Sequence, residues 1–183
     1  MALKATIFKA ALQVADMDRG HYADHALTIA RHPSETDERM MVRVLAFALH
    51  ADEQLQFGGG VSTEDEPALW RRDLTGSIEQ WIEVGLPDEK RIRRACGRAG
   101  EVFVYAYGGH AAELWWKQVG AELARNANLT VCVLPQEATR ALAGLARRNM
   151  QLNCSIQDGQ VWLGDGAETV QLEPEARQKP AGG

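Results

Sequence analysis

The chain has 183 residues, of which 45% are hydrophobic and 25% are charged, so it can bury one substantial core. Its net charge of −5 argues against a protein that coats nucleic acid through bulk positive charge, because phosphate affinity depends on many Lys and Arg contacts. No segment approaches the apolar length of a membrane span, and the N-terminus lacks the apolar run and cleavage site of a signal peptide. We therefore expect a soluble cytoplasmic protein without a membrane partner.

Three cysteines, Cys96, Cys132 and Cys154, are far apart and lie among apolar residues. An odd number at such spacing favours buried free thiols over disulfides or a zinc site. No Gly/Ser-rich or Pro-rich linker divides the chain, so residues 1–173 are predicted to form a single domain. The polar segment 174–183 is predicted to be a disordered tail.

The N-terminal part of the chain predicts a hairpin followed by a helix. Residues 5–15 and 22–30 are rich in β-formers, and the sequence between them has turn chemistry. A helix follows Pro33, with Ser34 as its N-cap, and its apolar stripe runs to about His50.

The rest of the chain alternates strands and helices. A flexible connection at 58–67 leads into residues 68–72, for which a short strand and a helical turn both stay open. Residues 77–84 alternate and predict a strand. The further elements are a helix from Asp88 to about Ala99, a strand over 102–107, a helix over 111–125, a strand over 129–134, a helix from about Gln136 and a hairpin over 151–157 and 160–164.

Strands that alternate with helices indicate parallel pairing in the middle of the chain, whereas the hairpins at both ends are antiparallel. The predicted fold class is therefore α/β, with a mixed β-sheet flanked by helices. The sequence shows no internal repeat.

Three carboxylates lie on or just before the predicted strand at 77–84, namely Asp73, Glu79 and Glu83. Strand alternation places Glu79 and Glu83 on one face together with Trp81. Like charges on one face repel each other unless a cation or a proton neutralises them. The arrangement is typical of a divalent-metal phosphodiesterase site, with Asp73, Glu79 and Glu83 as metal ligands.

Along the chain, a helix carries Glu38, Asp73 follows, a strand ends at Ile82-Glu83-Val84, and a basic helix and a further strand come next. This order resembles the core of the PD-(D/E)XK nuclease superfamily. In that superfamily the acids hold one or two Mg²⁺ ions, a lysine two residues after the last acid contacts the attacking water, and the helix acid completes the cluster. The resemblance therefore implies a catalytic group with Mg²⁺ or Mn²⁺ as cofactor, formed by Glu38, Asp73, Glu79 and Glu83.

Two positions depart from the superfamily pattern. Gly85 stands where the lysine is expected, so the strand cannot supply a cation to the nucleophile. Lys90 or Arg94, on the basic helix that follows, is the proposed substitute. Glu79 stands where Asp is usual, and its longer side chain suits a flexible Ca²⁺ or Mn²⁺ site better than a strict Mg²⁺ site.

Segments spread over nearly the whole chain match a second pattern. They are Met1–Ile7, Val14–Asp16, Ala30–Thr36, Glu38–Met41, Glu66–Pro67, Trp81–Glu89, Ile92, Ala95–Cys96 and Ile156–Gly159. On these segments the sequence is identified as a member of the bacterial YaeQ family. The family is regarded as a compact variant of the nuclease-type core, so the resemblance implies that core here, and it implies no particular substrate.

Each candidate acid also has a structural interpretation. Glu83 could pair with Arg91 or Arg94, and Asp73 could cap the turn that follows it. Glu38 could pair with an arginine of its own helix or act on the helix dipole. Glu79 would equally suit a strand edge in water.

Two further pairs of residues have weaker functional signals. A helix N-terminus beside an arginine can seat an anion, so Arg31 and Ser34 are predicted phosphate contacts, although an N-cap Ser34 beside Pro33 is also a sufficient structural explanation. His21 and His25 are four residues apart in a predicted turn and strand, where that spacing favours a structural role over a zinc site.

Two functional hypotheses follow. In the first, the four acids form a divalent-metal site that activates water for phosphodiester hydrolysis, with a cation from the following helix. In the second, a nuclease-type core without turnover binds nucleic acid or a protein partner, and Gly85 and the acidic composition favour this reading.

Overall fold

The computed structural model describes residues 4–59 and 65–181. Its helices are α1 (Asp37–Leu49), α2 (Glu89–Arg98), α3 (His110–Leu123) and α4 (Gln136–Ala143). Its strands are β1 (Thr6–Asp16), β2 (His21–Arg31), β3 (Leu55–Phe57), β4 (Leu69–Arg72), β5 (Ile78–Val84), β6 (Ala99–Ala106), β7 (Leu129–Val133), β8 (Asn149–Gln157), β9 (Gln160–Gly164), β10 (Thr169–Leu172) and β11 (Glu175–Gln178).

The strands form two sheets. The five-stranded sheet has the order β10-β9-β8-β1-β2, and within it β1 runs parallel to β8 while the other neighbours are antiparallel. The six-stranded sheet has the order β11-β7-β6-β5-β4-β3, with β5, β6 and β7 parallel. The expected α/β class with mixed β-structure flanked by helices is confirmed, but the two terminal hairpins leave the central sheet and build a second one.

Helix α1 lies between the two sheets. Its residues Met40–Ala48 are all buried. They pack with inward residues of β1, β2 and β8 on one side and with Ile82 and Val84 of β5 on the other. The whole circumference of the helix is therefore covered, whereas the sequence indicated a single apolar stripe of the kind that a surface helix has.

Helices α2 and α3 cover the opposite face of the six-stranded sheet. Trp81 of β5 and Val104 of β6 pack there with Ile92 of α2 and Trp115 of α3. Because successive side chains of a strand point to opposite faces, Trp81 and its neighbour Ile82 belong to different cores. The layers are thus the five-stranded sheet, α1 with α4, the six-stranded sheet, and α2 with α3.

Helix α1 begins after Thr36, not after Ser34 as predicted. The Thr36 hydroxyl accepts the backbone N–H of Arg39 at 3.1 Å, which makes Thr36 the N-cap. The Ser34 hydroxyl lies 2.7 Å from Nδ1 of His32, outside the helix. The Ser34 assignment was wrong because Thr36 offers the same cap chemistry immediately before the first helical turn.

The segment that leads into β5 is a strand. Residues Leu69–Arg72 pair with both β3 and β5, so the choice between a strand and a helical turn is settled for the strand. The predicted flexible connection at 58–67 lies partly outside the described residues, at 60–64.

Part of the segment predicted to be a disordered tail, Glu175–Gln178, forms the strand β11. β11 pairs antiparallel with β7, and the side-chain amide of Gln178 donates to the Leu123 carbonyl at 2.9 Å. Arg177 donates to the Glu113 carboxylate at 2.9 Å. A polar composition indicates disorder only when the backbone finds no partner, and here an edge strand supplies one.

The thiols of Cys132 and Cys154 are buried and that of Cys96 is partly buried, and all three are free, as predicted. Burial raises the pKa of the Cys154 thiol to about 12, which keeps it protonated and unreactive. Within the described ranges, no helix is long and apolar enough to cross a membrane.

Candidate functional site

Glu83, the last acid of the predicted set, lies near the carboxyl end of β5 and is 3% exposed. The indole N–H of Trp81 donates to its Oε1 at 2.7 Å, and Nε of Arg91 donates to the same oxygen at 2.9 Å. Among the described residues, no hydrogen bond ends on Oε2 of Glu83. A buried carboxylate with one hydrogen-bonded oxygen is thus held next to a guanidinium.

Burial raises the pKa of Glu83, although the charge of Arg91 and the hydrogen bonds from Trp81 and Arg91 act in the opposite direction. Loss of hydration disfavours the charged form of a carboxyl group more than these partners favour it. Ligands of α/β proteins commonly bind at the carboxyl ends of parallel strands. Acids with a shifted pKa are common at such sites, and Glu83 is one at such a strand end.

Arg91, not Lys90 or Arg94, is the α2 residue that reaches Glu83. Asp88 caps α2 by accepting the N–H of Arg91 at 2.7 Å, and Nη2 of Arg91 also donates to the Glu66 carbonyl at 2.8 Å. The side chain is thereby fixed between β5 and the segment before β4. The helical periodicity contains a signal for this position, because Arg91 lies one turn before the buried Ala95.

Lys90 and Arg94 are exposed on the other side of α2. Within the described parts of the chain neither forms an ion pair, whereas Arg93 lies 3.4 Å from the Glu89 carboxylate. Arg98 is an exposed residue whose guanidinium stacks over the Trp81 ring at 5.1 Å and donates to the Asp65 carbonyl at 3.4 Å. The helix therefore has one arginine turned inward and a basic surface turned to solvent.

Glu38 lies on the α1 side of the six-stranded sheet, opposite to the side where Arg91 meets Glu83. Its Oε2 accepts a hydrogen bond from the hydroxyl of Thr139 on α4 at 2.9 Å. Tyr107, which follows β6, has a pKa that is raised by burial and further raised by the charge of Glu38. The charge of Arg39 lowers the pKa of Tyr107 and also that of Glu83, in each case against the larger effect of burial.

Asp73 and Glu79 are together at a different place. Both line an open cavity of about 400 Å³ beside the β4–β5 turn, with Asp52, Arg71 and Leu74 among the other lining residues. Oδ1 of Asp73 accepts the backbone N–H of both Thr75 and Ser77 and the Thr75 hydroxyl, so Asp73 caps the turn. Its pKa is lowered chiefly by the hydrogen bond from the Thr75 side chain.

Glu79 is exposed and pairs with Nε of Arg71 at 2.8 Å. Glu79 and Glu83 are four positions apart on the strand, which corresponds to about 13 Å between the two backbone positions. A carboxylate oxygen has to lie within about 2.6 Å of a divalent ion to bind it. The two strand acids therefore cannot hold the same ion from these positions.

The four predicted acids thus occupy three surroundings: a turn cavity for Asp73 and Glu79, a buried ion pair for Glu83, and a helix-to-helix hydrogen bond for Glu38. In residues 4–59 and 65–181, no three His, Cys, Asp or Glu side chains are grouped so that they could hold a metal ion. The donor set therefore does not fit one shared Mg²⁺ or Mn²⁺ site, and a cation at Glu83 would have to take its other ligands from substrate or water.

Gly85, at the position of the superfamily lysine, has a φ of +99° and donates its N–H to the Tyr105 carbonyl at 3.0 Å. This backbone conformation strains any residue with a Cβ atom. The glycine is therefore explained by the turn that ends β5, and a lysine at this position would carry the same strain.

Arg31 and Ser34, the two predicted phosphate contacts, are each bonded to another residue of the chain. Arg31 forms an ion pair with Asp37 and stacks over the Phe8 ring at 5.0 Å, so its charge is already balanced within the protein. Ser34 is exposed and bonded to His32.

A buried group that the sequence reading did not single out surrounds Glu35. Its carboxylate accepts Nε of Arg43 at 3.0 Å and a further bond from Arg39, and both Glu35 and Arg43 are 1% exposed at the side chain. Arg43 also donates to the Ala30 carbonyl at 3.1 Å. Arg39 and Arg43 lie four residues apart on one face of α1, and Glu35 stands four residues before Arg39, just ahead of the N-cap Thr36; this spacing was the signal that the three residues could meet.

Comparison with known proteins gives consistent matches along the chain. The profile of the family described as YaeQ protein matches residues 1–174. The YaeQ protein of Salmonella typhi is 49% identical over 181 residues, which cover 99% of this chain and 100% of that protein. The YaeQ protein of Escherichia coli K12 is 47% identical over 181 residues with the same coverage.

Two solved structures have the same fold. The crystal structure of the YaeQ protein from Xanthomonas axonopodis pv. citri superposes with a TM-score of 0.94 at 53% identity, covering 96% of this chain and 99% of that one. The crystal structure of the YaeQ protein from Pseudomonas syringae superposes with a TM-score of 0.92 at 36% identity, covering 97% and 98%.

Proposed function

The chain belongs to the YaeQ family, and from the charges on its surface we propose that it binds the phosphate backbone of nucleic acid without cleaving it. The observation that carries the proposal is the outer side of α2. Lys90, Arg94 and Arg98 are exposed there at i, i+4 and i+8, so they form one stripe along the helix. The stripe is about 12 Å long, which matches several consecutive phosphates of one strand.

The stripe is a local exception in an acidic protein with a net charge of −5. Glu89, the single acid of α2, pairs with Arg93 and leaves the stripe uncompensated by its own helix. Local cations on a protein with repulsive bulk charge favour weak and salt-sensitive binding over irreversible coating.

The surroundings of Glu83 support binding rather than turnover. Arg91 balances the charge of Glu83 inside the protein, and Gly85 leaves the strand without the lysine that the superfamily uses on the nucleophile. The order of α1, β5, α2 and β6 along the chain is the element order on which the resemblance to the nuclease core rests. Fold order alone does not fix activity, so the proposal rests on the charges.

The test is fluorescence anisotropy with a fluorescein-labelled single-stranded oligonucleotide, titrated at several salt concentrations in the presence of Mg²⁺. Three phosphate contacts predict that log K falls against log salt with a slope of about −2. Lys90→Ala and Arg94→Ala should each reduce the slope by about 0.7 and weaken binding at low salt. Arg147→Ala, an exposed arginine before β8, is the matched control and should leave the slope unchanged.

Binding that is independent of Lys90 and Arg94, or absent at low salt, would contradict the proposal. A labelled oligonucleotide that stays intact in Mg²⁺ and in Mn²⁺ during these titrations is the expected result. Loss of full-length oligonucleotide would favour the catalytic alternative.

That alternative, a divalent-metal phosphodiesterase of PD-(D/E)XK type, is favoured by one observation, the raised pKa of Glu83 at the carboxyl end of β5. Mg²⁺ or Mn²⁺ at this carboxylate would supply a Lewis acid for the scissile phosphate. Calorimetric titration of Mn²⁺ in the presence of the oligonucleotide, with wild-type protein and Glu83→Gln, separates the two functions. Saturable binding and cleavage that are both lost in the variant would establish the enzyme.

A further inference from the structure

The outer face of the five-stranded sheet is uncovered. The outward residues of β1 and β2 are Ile7, Lys9, Ala11, Gln13 and Ala15, and Tyr22, Asp24, Ala26, Thr28 and Ala30. Most of these are exposed, and β8 continues the face with the uncharged Asn149, Gln151 and Asn153. Among these described outward residues, the charged ones are Lys9 and Asp24, and Asp165 lines a depression of the same face, so the face has few charges for a solvated sheet surface.

The pairing register arranges this face around one central pair. Ala11 lies directly opposite Ala26. Two positions from this centre, Lys9 lies toward one end of the strands on β1, and Asp24 lies equally far toward the other end on β2. The base and the acid are therefore displaced from the centre by the same distance in opposite directions.

The large apolar side chains repeat the same relation. Ile7, 43% exposed, lies four positions from Ala11 beyond Lys9. Tyr22, 64% exposed, lies four positions from Ala26 beyond Asp24. A charged or apolar residue at one end of the face is therefore matched by an oppositely charged or apolar residue at the same distance toward the other end.

We propose that two copies of this chain pack these outer faces together about a two-fold axis that runs across the strands at the Ala11–Ala26 pair. Such an axis inverts the direction along the strands. Lys9 of one copy then comes beside Asp24 of the second, and Ile7 of one copy comes beside Tyr22 of the second. A two-fold interface uses the same patch twice, which requires this kind of self-complementarity.

The shape of the face supports close packing. Two depressions, of about 490 and 340 Å³, share Ala11 and Ala26 in their lining, because the small side chains leave space between the longer amides. Sheets pack face to face about 10 Å apart when side chains of one face fill such depressions in the other. Five strands with these lengths offer a footprint of about 630 Å², which is somewhat below the roughly 800 Å² per partner that stable interfaces bury.

The test is sedimentation equilibrium of the full chain, which should show a monomer–dimer equilibrium. Lys9→Asp and Asp24→Lys each create two like-charge contacts in a symmetric dimer and should raise the dissociation constant roughly tenfold or more. The double variant exchanges the charges and should restore the wild-type constant. Lys117→Asp, on the exposed surface of α3, changes the net charge equally and should leave the constant unchanged.

Each variant should be folded, because Lys9 and Asp24 are both solvent-exposed in the monomer. Thermal unfolding followed by circular dichroism checks this. A wild-type chain that stays monomeric at high concentration would overturn the proposal. A dimer whose dissociation constant ignores the single charge reversals, or is not restored by the double exchange, would place the interface elsewhere and overturn it as well.

Discussion

Removal of one partner from the buried Glu35–Arg43 pair should destabilise the fold more than any surface substitution. Glu35→Leu leaves Arg43 enclosed between the sheets, where the Ala30 carbonyl and the Phe57 ring are its described remaining contacts. A buried charge without its partner costs about 3–5 kcal/mol. For a domain with about 5–15 kcal/mol of total stability, this loss should lower the melting temperature by about 10 °C.

The reverse substitution should cost less. Arg43→Met leaves Glu35 in contact with Arg39, whose side chain is 21% exposed and keeps part of its hydration. The double variant, Glu35→Leu with Arg43→Met, places two apolar side chains in the same space and should lie within about 1 kcal/mol of wild type. The coupling energy of the pair then approaches the sum of the two single losses.

The assay is urea unfolding of wild type, the two single variants and the double variant, which gives the free energy of unfolding of each protein. The coupling energy follows from the double-mutant cycle. Arg125→Leu is the control, because Arg125 lies 3.4 Å from Glu122 and both side chains are largely exposed; its cost should stay below about 1 kcal/mol. Single variants that lose less than about 1 kcal/mol, or a double variant whose loss equals the sum of the singles, would refute the reasoning.

Three further predictions concern single residues. Burial lowers the pKa of His50 to about 3, so the unfolded chain takes up a proton at a higher pH than the folded chain does, and the free energy of unfolding of wild type should fall by about 2 kcal/mol between pH 7 and pH 5. Urea unfolding should show a smaller fall for His50→Gln. An equal fall in both proteins would disprove the link. Burial raises the pKa of Glu83, so the folded chain keeps the proton of this carboxyl group to a higher pH than the unfolded chain does. Wild type should therefore lose stability relative to Glu83→Gln as pH rises through the ordinary glutamate range and above it. A stability difference that does not change with pH would contradict this. Gly85→Ala should lower the stability by about 1 kcal/mol, because the φ of +99° at this position strains a residue with a Cβ atom. The control is Gly97→Ala in α2, where space is open and φ is ordinary for a helix. Thermal unfolding should show the lower melting temperature for Gly85→Ala, and equal or reversed changes would count against the strain.

Local patterns accounted for much of the fold. The alternation at 77–84 predicted β5, and the start of α2 was predicted at Asp88, because both depend on neighbours that are close in the sequence. The parallel pairing of β1 with β8 could not be predicted from local patterns, because it joins residues such as Lys9 and Asn149 that only the tertiary fold brings together. The ordered β11 was missed for the same reason.

The site was predictable in its residues but not in its geometry. Alternation correctly separated Trp81 from Ile82, and pairing of Glu83 with Arg91 was among the alternatives considered. The surroundings of Glu79 and Glu83 were not predictable, because exposure at one end of a strand and burial at the other depend on which helix covers each end. Whether the acids act in catalysis stays a prediction.

The β1–β8 pairing also has a consequence for synthesis of the chain on the ribosome. β1 emerges first, and its parallel partner begins at Asn149, so the five-stranded sheet cannot close until about 140 further residues have been made. At about 5–20 residues per second, this interval lasts roughly 7–28 s. During that time the β1–β2 hairpin alone covers its side of the apolar helix α1, and the part that β8 covers later stays exposed on the nascent chain.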